Sequence, residues 1–166
     1  MTSKIPFVKQ DTHWIAFIPQ VIFICLFSLL FYQYERQFFL LYALMLYFVV
    51  KLLMRMLFFP GVLYNGIKLI KLEKLKEAIP EIEKTIDYYT THAWVDKYRF
   101  LLMISSSERS IREVSVCNLA FCLLHTGEID KAKELYETVL LEYPKNIIAK
   151  GALKTINLFA NNQLEM

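Results

Sequence analysis

Two long apolar runs occupy the first third of the chain. The first extends from Trp14 to Tyr32 and carries no charged residue over nineteen positions. As an α-helix it would measure about 28 Å, close to the hydrocarbon thickness of a bilayer. The second extends from Phe38 to Phe59, and Pro60 then stops the helix. We expect a membrane hairpin over residues 1–61, with spans at about 14–32 and 38–59.

The ends of these runs carry residues typical of a membrane interface. Trp14 opens the first span, where an aromatic ring favours the headgroup level. Lys51 and Arg55 lie one helical turn apart near the exit of the second span, from which their long side chains can reach the headgroups. A second interpretation is an intramembrane charge that binds an ion or an acidic partner helix. A cleaved signal peptide is disfavoured, because a second apolar run follows the first directly.

Basic residues flank the outer ends of both spans, whereas the connector between them holds only Arg36 beside Glu35. By the positive-inside rule, both termini are cytoplasmic and the connector lies outside. We therefore expect an integral membrane protein, for example of the bacterial inner membrane, with its remaining residues in the cytoplasm.

From residue 62 to residue 78 the apolar residues recur at helical spacing, with lysines mostly between them. This basic amphipathic linker could lie on an anionic membrane surface, or it could lead as an ordinary helix into the next domain. The two interpretations are not exclusive.

Residues 79–166 have the composition of a small α-helical domain, and its best-defined part is Glu113–Asn146. Gly127 separates two predicted helices, of which the second starts near Ile129 and stops at Pro144. Their apolar faces are Val116, Leu119, Ala120 and Leu123, and then Ala132, Leu135, Tyr136, Val139 and Leu140. Ser110 is a predicted N-cap with Glu113 as its capping-box partner. A last helix over 147–161 would cover the open end, with Phe159 on its apolar face.

Composition narrows the fold class and the partners. A chain that is 56% hydrophobic with only 4 glycines favours an all-α fold, here a two-helix transmembrane hairpin followed by a small helical domain. The net charge of +3 is too small to indicate a nucleic acid. The three cysteines have no paired spacing, which favours buried thiols in a reducing compartment over disulfides or a zinc site.

The helix pair at 113–146 resembles the tetratricopeptide repeat. Val116 stands at the first large position, Leu119 and Ala120 at the Leu-Gly pair, and Leu123 at the next aromatic position. The later small, aromatic and proline positions are filled in register by Ala132, Tyr136 and Pro144. The pattern departs from the family at Val116 and Leu123, where aromatic residues are usual. The resemblance implies stacked helices around a concave groove that binds protein segments.

The resemblance also implies which side chains line that groove: Val114, Cys117, Asn118, Phe121, Leu124 and His125. Asn118 matches an asparagine that holds a peptide carboxylate in chaperone-binding members of the family. Val114 and Cys117 stand where lysines would complete that clamp, so we expect an apolar groove for a helix or peptide segment instead. The alternative is that Phe121 and Leu124 pack on a neighbouring helix.

No catalytic constellation accompanies these features, because His13, His92 and His125 are isolated and no Gly-rich phosphate loop is present. We expect neither an enzyme nor a bound cofactor or metal. The favoured function is a membrane-anchored adaptor or assembly factor that binds a protein partner at the cytoplasmic surface. The alternative is a small accessory or immunity-type subunit whose hairpin packs on a larger membrane complex. The oligomeric state stays open.

Overall fold

A computed structural model describes residues 17–34, 36–58, 61–99 and 109–164. Within these ranges the chain forms helices and turns and no strand, which confirms the all-α prediction. The helices are α1 (Phe17–Tyr32), α2 (Phe39–Phe58), α3 (Gly61–Lys71), α4 (Leu75–Thr91), α5 (Ala93–Lys97), α6 (Ile111–His125), α7 (Ile129–Glu142) and α8 (Ile147–Leu164). They belong to two compact units. The hairpin unit contains α1, α2 and α5, and the helix stack contains α3, α4 and α6–α8.

In the hairpin unit, α1 and α2 pack along each other. Their contact includes an edge-on pair of the Tyr32 and Phe39 rings, 5.5 Å apart, and a hydrogen bond of 3.4 Å from Tyr47 OH to Gln20 Oε1. In α1 and α2 few side chains are buried, among them Ala43 and Tyr47. More than half of each of the following side chains is exposed: Ile18, Val21, Ile22, Leu26, Leu29, Leu30, Leu40, Leu41, Met45, Phe48, Val49, Leu52, Leu53, Met56 and Leu57.

None of the helices within the described ranges combines the length and the apolar character of a candidate membrane span. The described α1 has 16 residues and α2 has 20. Trp14 and Phe59, at the ends of the two predicted spans, lie outside the described residues.

In the helix stack each helix packs mainly on its neighbours in the chain: α3 on α4, α4 on α6, α6 on α7, and α7 on α8. α3 lies close against α4 at Gly66, which has no side chain. A Cβ atom added there would lie only 2.9 Å from Ile82 Cγ1. Ile70 of α3 is buried in the same apolar cluster as Ile82. The segment 62–78, predicted as a linker, thus supplies a core helix of this unit, and the predicted domain start at residue 79 falls inside α4.

The predicted helix pair is present with nearly the expected bounds, as α6 and α7. Gly127 has a φ of 95°, in the left-handed region that favours glycine, and it follows the last turn of α6. Ser110 caps α6, since its Oγ accepts a hydrogen bond of 2.9 Å from Glu113 N, which confirms the predicted N-cap. Ala120 and Ala132 are fully buried, which lets neighbouring helices approach.

Three polar contacts join the ends of this helix pair. Ser110 Oγ donates a hydrogen bond of 3.2 Å to Tyr143 OH, and Arg112 forms an ion pair with Glu142. Asn146 Nδ2 donates a hydrogen bond of 2.7 Å to Glu113 Oε1, and Asn146 Oδ1 accepts one of 2.8 Å from Ala149 N in the first turn of α8. The start of α6 is therefore linked to the end of α7 and to the start of α8.

Candidate partner-binding groove

The six side chains predicted to line a groove fall into two groups on α6. Cys117 and Asn118 are buried, with 2% and 1% of their surfaces exposed. Val114, Phe121 and Leu124 are half-buried and His125 is exposed. A ligand on the surface of the helix stack can therefore contact the second group but not the first.

Cys117 belongs to the core between α6, α7 and α8. Its Sγ accepts a hydrogen bond of 3.4 Å from Asn146 Nδ2. Burial raises the pKa of the Cys117 thiol to about 11, and burial does the same for Cys122. Both side chains are therefore neutral thiols at physiological pH, and their weak nucleophilicity fits a packing role.

Asn118 is buried in the middle of α6, and its Oδ1 has no hydrogen-bond partner among the described residues. A buried polar oxygen without a partner costs about 1–3 kcal/mol of stability. A carboxylate only accepts hydrogen bonds, so Asn118 would have to hold one through its Nδ2 donor, and only 1% of the residue is exposed. Asn118 therefore has neither the exposure nor the flanking cations of a carboxylate clamp.

Phe121 and His125 form a tilted ring pair on α6, with their centres 4.1 Å apart and their planes inclined by 38°. His125 Nδ1 lies 2.9 Å from the Phe121 carbonyl oxygen. Because the carbonyl can only accept, Nδ1 carries the proton and donates, which leaves Nε2 of the neutral ring as an acceptor. The pair combines an apolar ring with one polar edge.

A groove of about 750 Å³ opens between the end of α6, the turn that follows it and α8. We call it the α6–α8 groove. It is lined by Leu124, His125, Gly127, Ile129, Asp130, Thr155, Ile156, Phe159 and Ala160. Two of the predicted residues, Leu124 and His125, are thus brought together with side chains from two other helices.

Sequence reasoning did not assign Ile129, Asp130 and Phe159 to this groove. Ile129 was predicted only as the start of a helix, and Phe159 as part of the packed face of the last helix. In the structure half of Ile129 and 68% of Phe159 are exposed. The available signal was a large aromatic residue near the end of the last predicted helix.

The groove has an apolar surface and a single charged residue in its lining. Its large apolar residues are Leu124, Ile129, Ile156 and Phe159, and Asp130 supplies the charge. Asp130 lies in the first turn of α7, where the partial positive charge of the helix end stabilises a carboxylate. This lining suits an apolar segment that carries a cationic group, and it disfavours an acidic one.

The predicted membrane-interface residues are described in part. Lys51 is half-buried, and its Nζ lies 5.9 Å from the centre of the Tyr47 ring, within cation–π range. Arg55 belongs to α2, but its side chain lies outside the described residues, as does Trp14.

No group of three or more His, Cys, Asp or Glu side chains suited to a metal ion occurs among the described residues. No protein-family model, curated protein or solved structure matches the chain.

Proposed function

We propose that this protein is a membrane-anchored adaptor that holds a protein segment in the α6–α8 groove. The observation that carries the proposal is the exposure of Phe159 beside Leu124 and Ile129 in a concave surface. An exposed aromatic ring flanked by aliphatic side chains is the usual anchor of a protein–protein contact, because covering it removes a large apolar area from water.

The membrane anchor in this proposal is the α1–α2 hairpin. Fifteen of its large apolar side chains are more than half exposed. Complete burial of such a side chain contributes about 1.5–3 kcal/mol, and more than half of each is still uncovered, so a lipid environment stabilises the hairpin strongly. The uncharged sequence before α1 extends back to Trp14, which gives the first span bilayer length. The lysines that follow α2 then favour cytoplasmic termini.

The helix stack in this proposal is a tetratricopeptide-like repeat completed by its flanking helices. In support, the small positions Ala120 and Ala132 are fully buried, and Tyr136 is 2% exposed. A single repeat cannot cover both of its faces, and here α4 and α8 cover them on either side.

The partner in this proposal is a helix or extended segment with apolar anchors and a nearby Lys or Arg. The apolar groups fill the space between α6 and α8, and the cation pairs with Asp130. A buried pair of this kind adds orientation more than affinity, because desolvation offsets much of the attraction.

The test uses the full-length tagged protein in its native membranes. Alkaline carbonate extraction should leave the wild-type protein in the membrane fraction. After detergent solubilisation, Phe159→Glu should lose the co-purifying partner. Leu141→Glu, which changes a side chain that is 84% exposed on α7 outside the groove, should keep it. If Phe159→Glu keeps the partner, the hairpin carries the association, as in an accessory subunit of a membrane complex.

A further inference from the structure

The face of α3 that points away from α4 has an unusual composition. Tyr64, Lys68 and Lys71 occur at helical spacing on one side, opposite Gly66 and Ile70, which pack toward α4. Tyr64 is 64% exposed, and Leu72 in the turn after α3 is 57% exposed. Lys76, at the start of α4, is also exposed. We call the set Tyr64, Lys68, Lys71, Leu72 and Lys76 the α3 outer face.

The turn that carries Leu72 is held in place by backbone hydrogen bonds. Glu73 N donates to Ile70 O at 2.9 Å and Lys74 N donates to Leu69 O at 3.0 Å, the paired bonds of a Schellman motif. Glu73 takes the left-handed conformation, with a φ of 60°, that this motif requires. Because the turn is fixed, Leu72 is presented to the surroundings without a further cost in backbone entropy.

The charge on this face is not neutralised within it. Lys74 forms an ion pair of 3.2 Å with Glu77, whereas Lys68, Lys71 and Lys76 lie beyond ion-pair distance of any acidic group in the described ranges. Three cations are thus combined with one aromatic and one aliphatic side chain. Lysines with interleaved apolar groups suit the boundary between phosphate headgroups and acyl chains.

The position of α3 in the chain limits its distance from the end of α2. Only residues 59 and 60 separate the end of α2 from the start of α3. α3 has 11 residues, so at 1.5 Å per residue it extends about 16 Å from its first residue. If α2 leaves the membrane at its end, the α3 outer face is confined near the headgroups of the same membrane.

We propose that the α3 outer face docks on anionic phospholipid headgroups of the membrane that holds the hairpin. Lys68, Lys71 and Lys76 meet the phosphates, and Tyr64 and Leu72 enter the boundary region. This inference rests on the membrane anchoring proposed above. The apolar side of α3 takes no part in it, because Ile70 is used in the core of the helix stack.

The test places a nitroxide label at Leu72→Cys in the full chain with Cys25→Ser, since the remaining Cys117 and Cys122 are buried. The protein is reconstituted in vesicles of phosphatidylcholine alone and of phosphatidylcholine with phosphatidylglycerol. We expect the label to be shielded from a water-soluble relaxation agent and exposed to oxygen in the anionic vesicles only. High salt should abolish this difference between the two kinds of vesicle.

Two triple variants provide the matched comparison. The first variant combines Lys68→Gln, Lys71→Gln and Lys76→Gln. Because each lysine contributes about 1 kcal/mol near an anionic surface, it should lower the equilibrium constant between the docked and undocked α3 outer face on the order of a hundredfold. Lys145→Gln with Lys150→Gln and Lys154→Gln removes the same charge from exposed positions around α8 and should leave docking unchanged.

A label equally exposed to water in both vesicles, or equal effects of the two triple variants, would overturn the docking proposal. Carbonate extraction of the same vesicles separates this result from a failure of the anchor. Protein that resists extraction with a water-exposed label contradicts the docking alone. Protein that is extracted contradicts the anchoring and, with it, the docking that depends on it.

Discussion

Asn146 Nδ2 donates a hydrogen bond of 2.7 Å to Glu113 Oε1, and this bond joins the two ends of the α6–α7 pair. Both residues are nearly buried, with 4% and 7% of their surfaces exposed. The same Asn146 side chain caps α8 through its Oδ1. One amide therefore fixes the position of α8, and with it Phe159, against the helix pair that forms the other wall of the α6–α8 groove.

Asn146→Ala removes these two contacts and the weaker hydrogen bond to Cys117 Sγ at once. The lost cap costs about 1 kcal/mol, and the buried Glu113 carboxylate loses a donor, for about 1–3 kcal/mol more. We expect the free energy of unfolding to fall by about 2–4 kcal/mol in urea titrations of the full-length protein in detergent. Asn157→Ala, at an exposed asparagine of α8, should change it by less than about 0.5 kcal/mol. Equal effects of the two variants would show that the Glu113 contact does not stabilise the stack.

Gly66 and Gly151 form a matched pair of helical glycines. Alanine favours a helix by about 0.5–1 kcal/mol over glycine at both. At Gly151 the new Cβ meets nothing within 4 Å, so Gly151→Ala should raise the free energy of unfolding by that amount. At Gly66 it would lie 2.9 Å from Ile82 Cγ1 in the core, and overpacking of about 1–3 kcal/mol outweighs the gain. Gly66→Ala should therefore lower the melting temperature and Gly151→Ala should raise it. The opposite order would contradict the close packing of α3 on α4.

Stability should fall as the pH rises above about 9. Burial raises the pKa of Cys117 and Cys122 to about 11 from an ordinary value of 9.0. Between these values the unfolded chain loses thiol protons that the folded chain keeps, so a higher pH favours unfolding. Burial also raises the pKa of Tyr136, which acts in the same direction at higher pH. The midpoint of urea unfolding should decrease from about pH 8.5 to about pH 10.5, and Cys122→Ala should make the decrease shallower. A constant or rising midpoint would show that the thiols are not buried.

Asn118→Leu tests whether the buried amide is a binding residue. Its Oδ1 has no partner in the described parts of the chain, so an apolar side chain of similar size should raise the free energy of unfolding by about 1 kcal/mol. Partner co-purification should be unchanged, because Asn118 is 1% exposed. If the variant remains folded but loses the partner, Asn118 is a binding residue after all.

The helices of the stack could be predicted well because their signals are local. Gly127, Pro144 and the apolar spacing define α6 and α7, and Ser110 caps α6 as expected. The role of Glu113 could not be predicted in the same way. The capping-box pattern assigns its carboxylate to the local backbone, whereas the structure pairs it with Asn146, 33 positions away. A contact of this separation depends on the packed fold and not on any short pattern.

The groove was predicted in part for a similar reason. Leu124 and His125 follow from the helical spacing of α6, but Cys117 and Asn118 share that spacing and are buried. Which of these positions stay open depends on how α4 and α8 pack on α6. Phe159 was predicted in a packed face because its periodicity matches that of Ile156. In the structure Ile156 is buried but Phe159 is exposed. Periodicity shows which residues share a face of the last helix, but it does not show which part of that face has a neighbour.

The most direct test of the adaptor function is site-specific photo-crosslinking in native membranes. A photoreactive phenylalanine analogue replaces Phe159 in the groove, or Leu141 outside it, in the full-length protein. We predict one discrete protein adduct from position 159, none from position 141, and loss of the adduct when Ile129→Glu is added. Equal adducts from both positions, or no protein adduct from 159 while a probe at Leu41 of the hairpin yields one, would contradict a partner-binding groove.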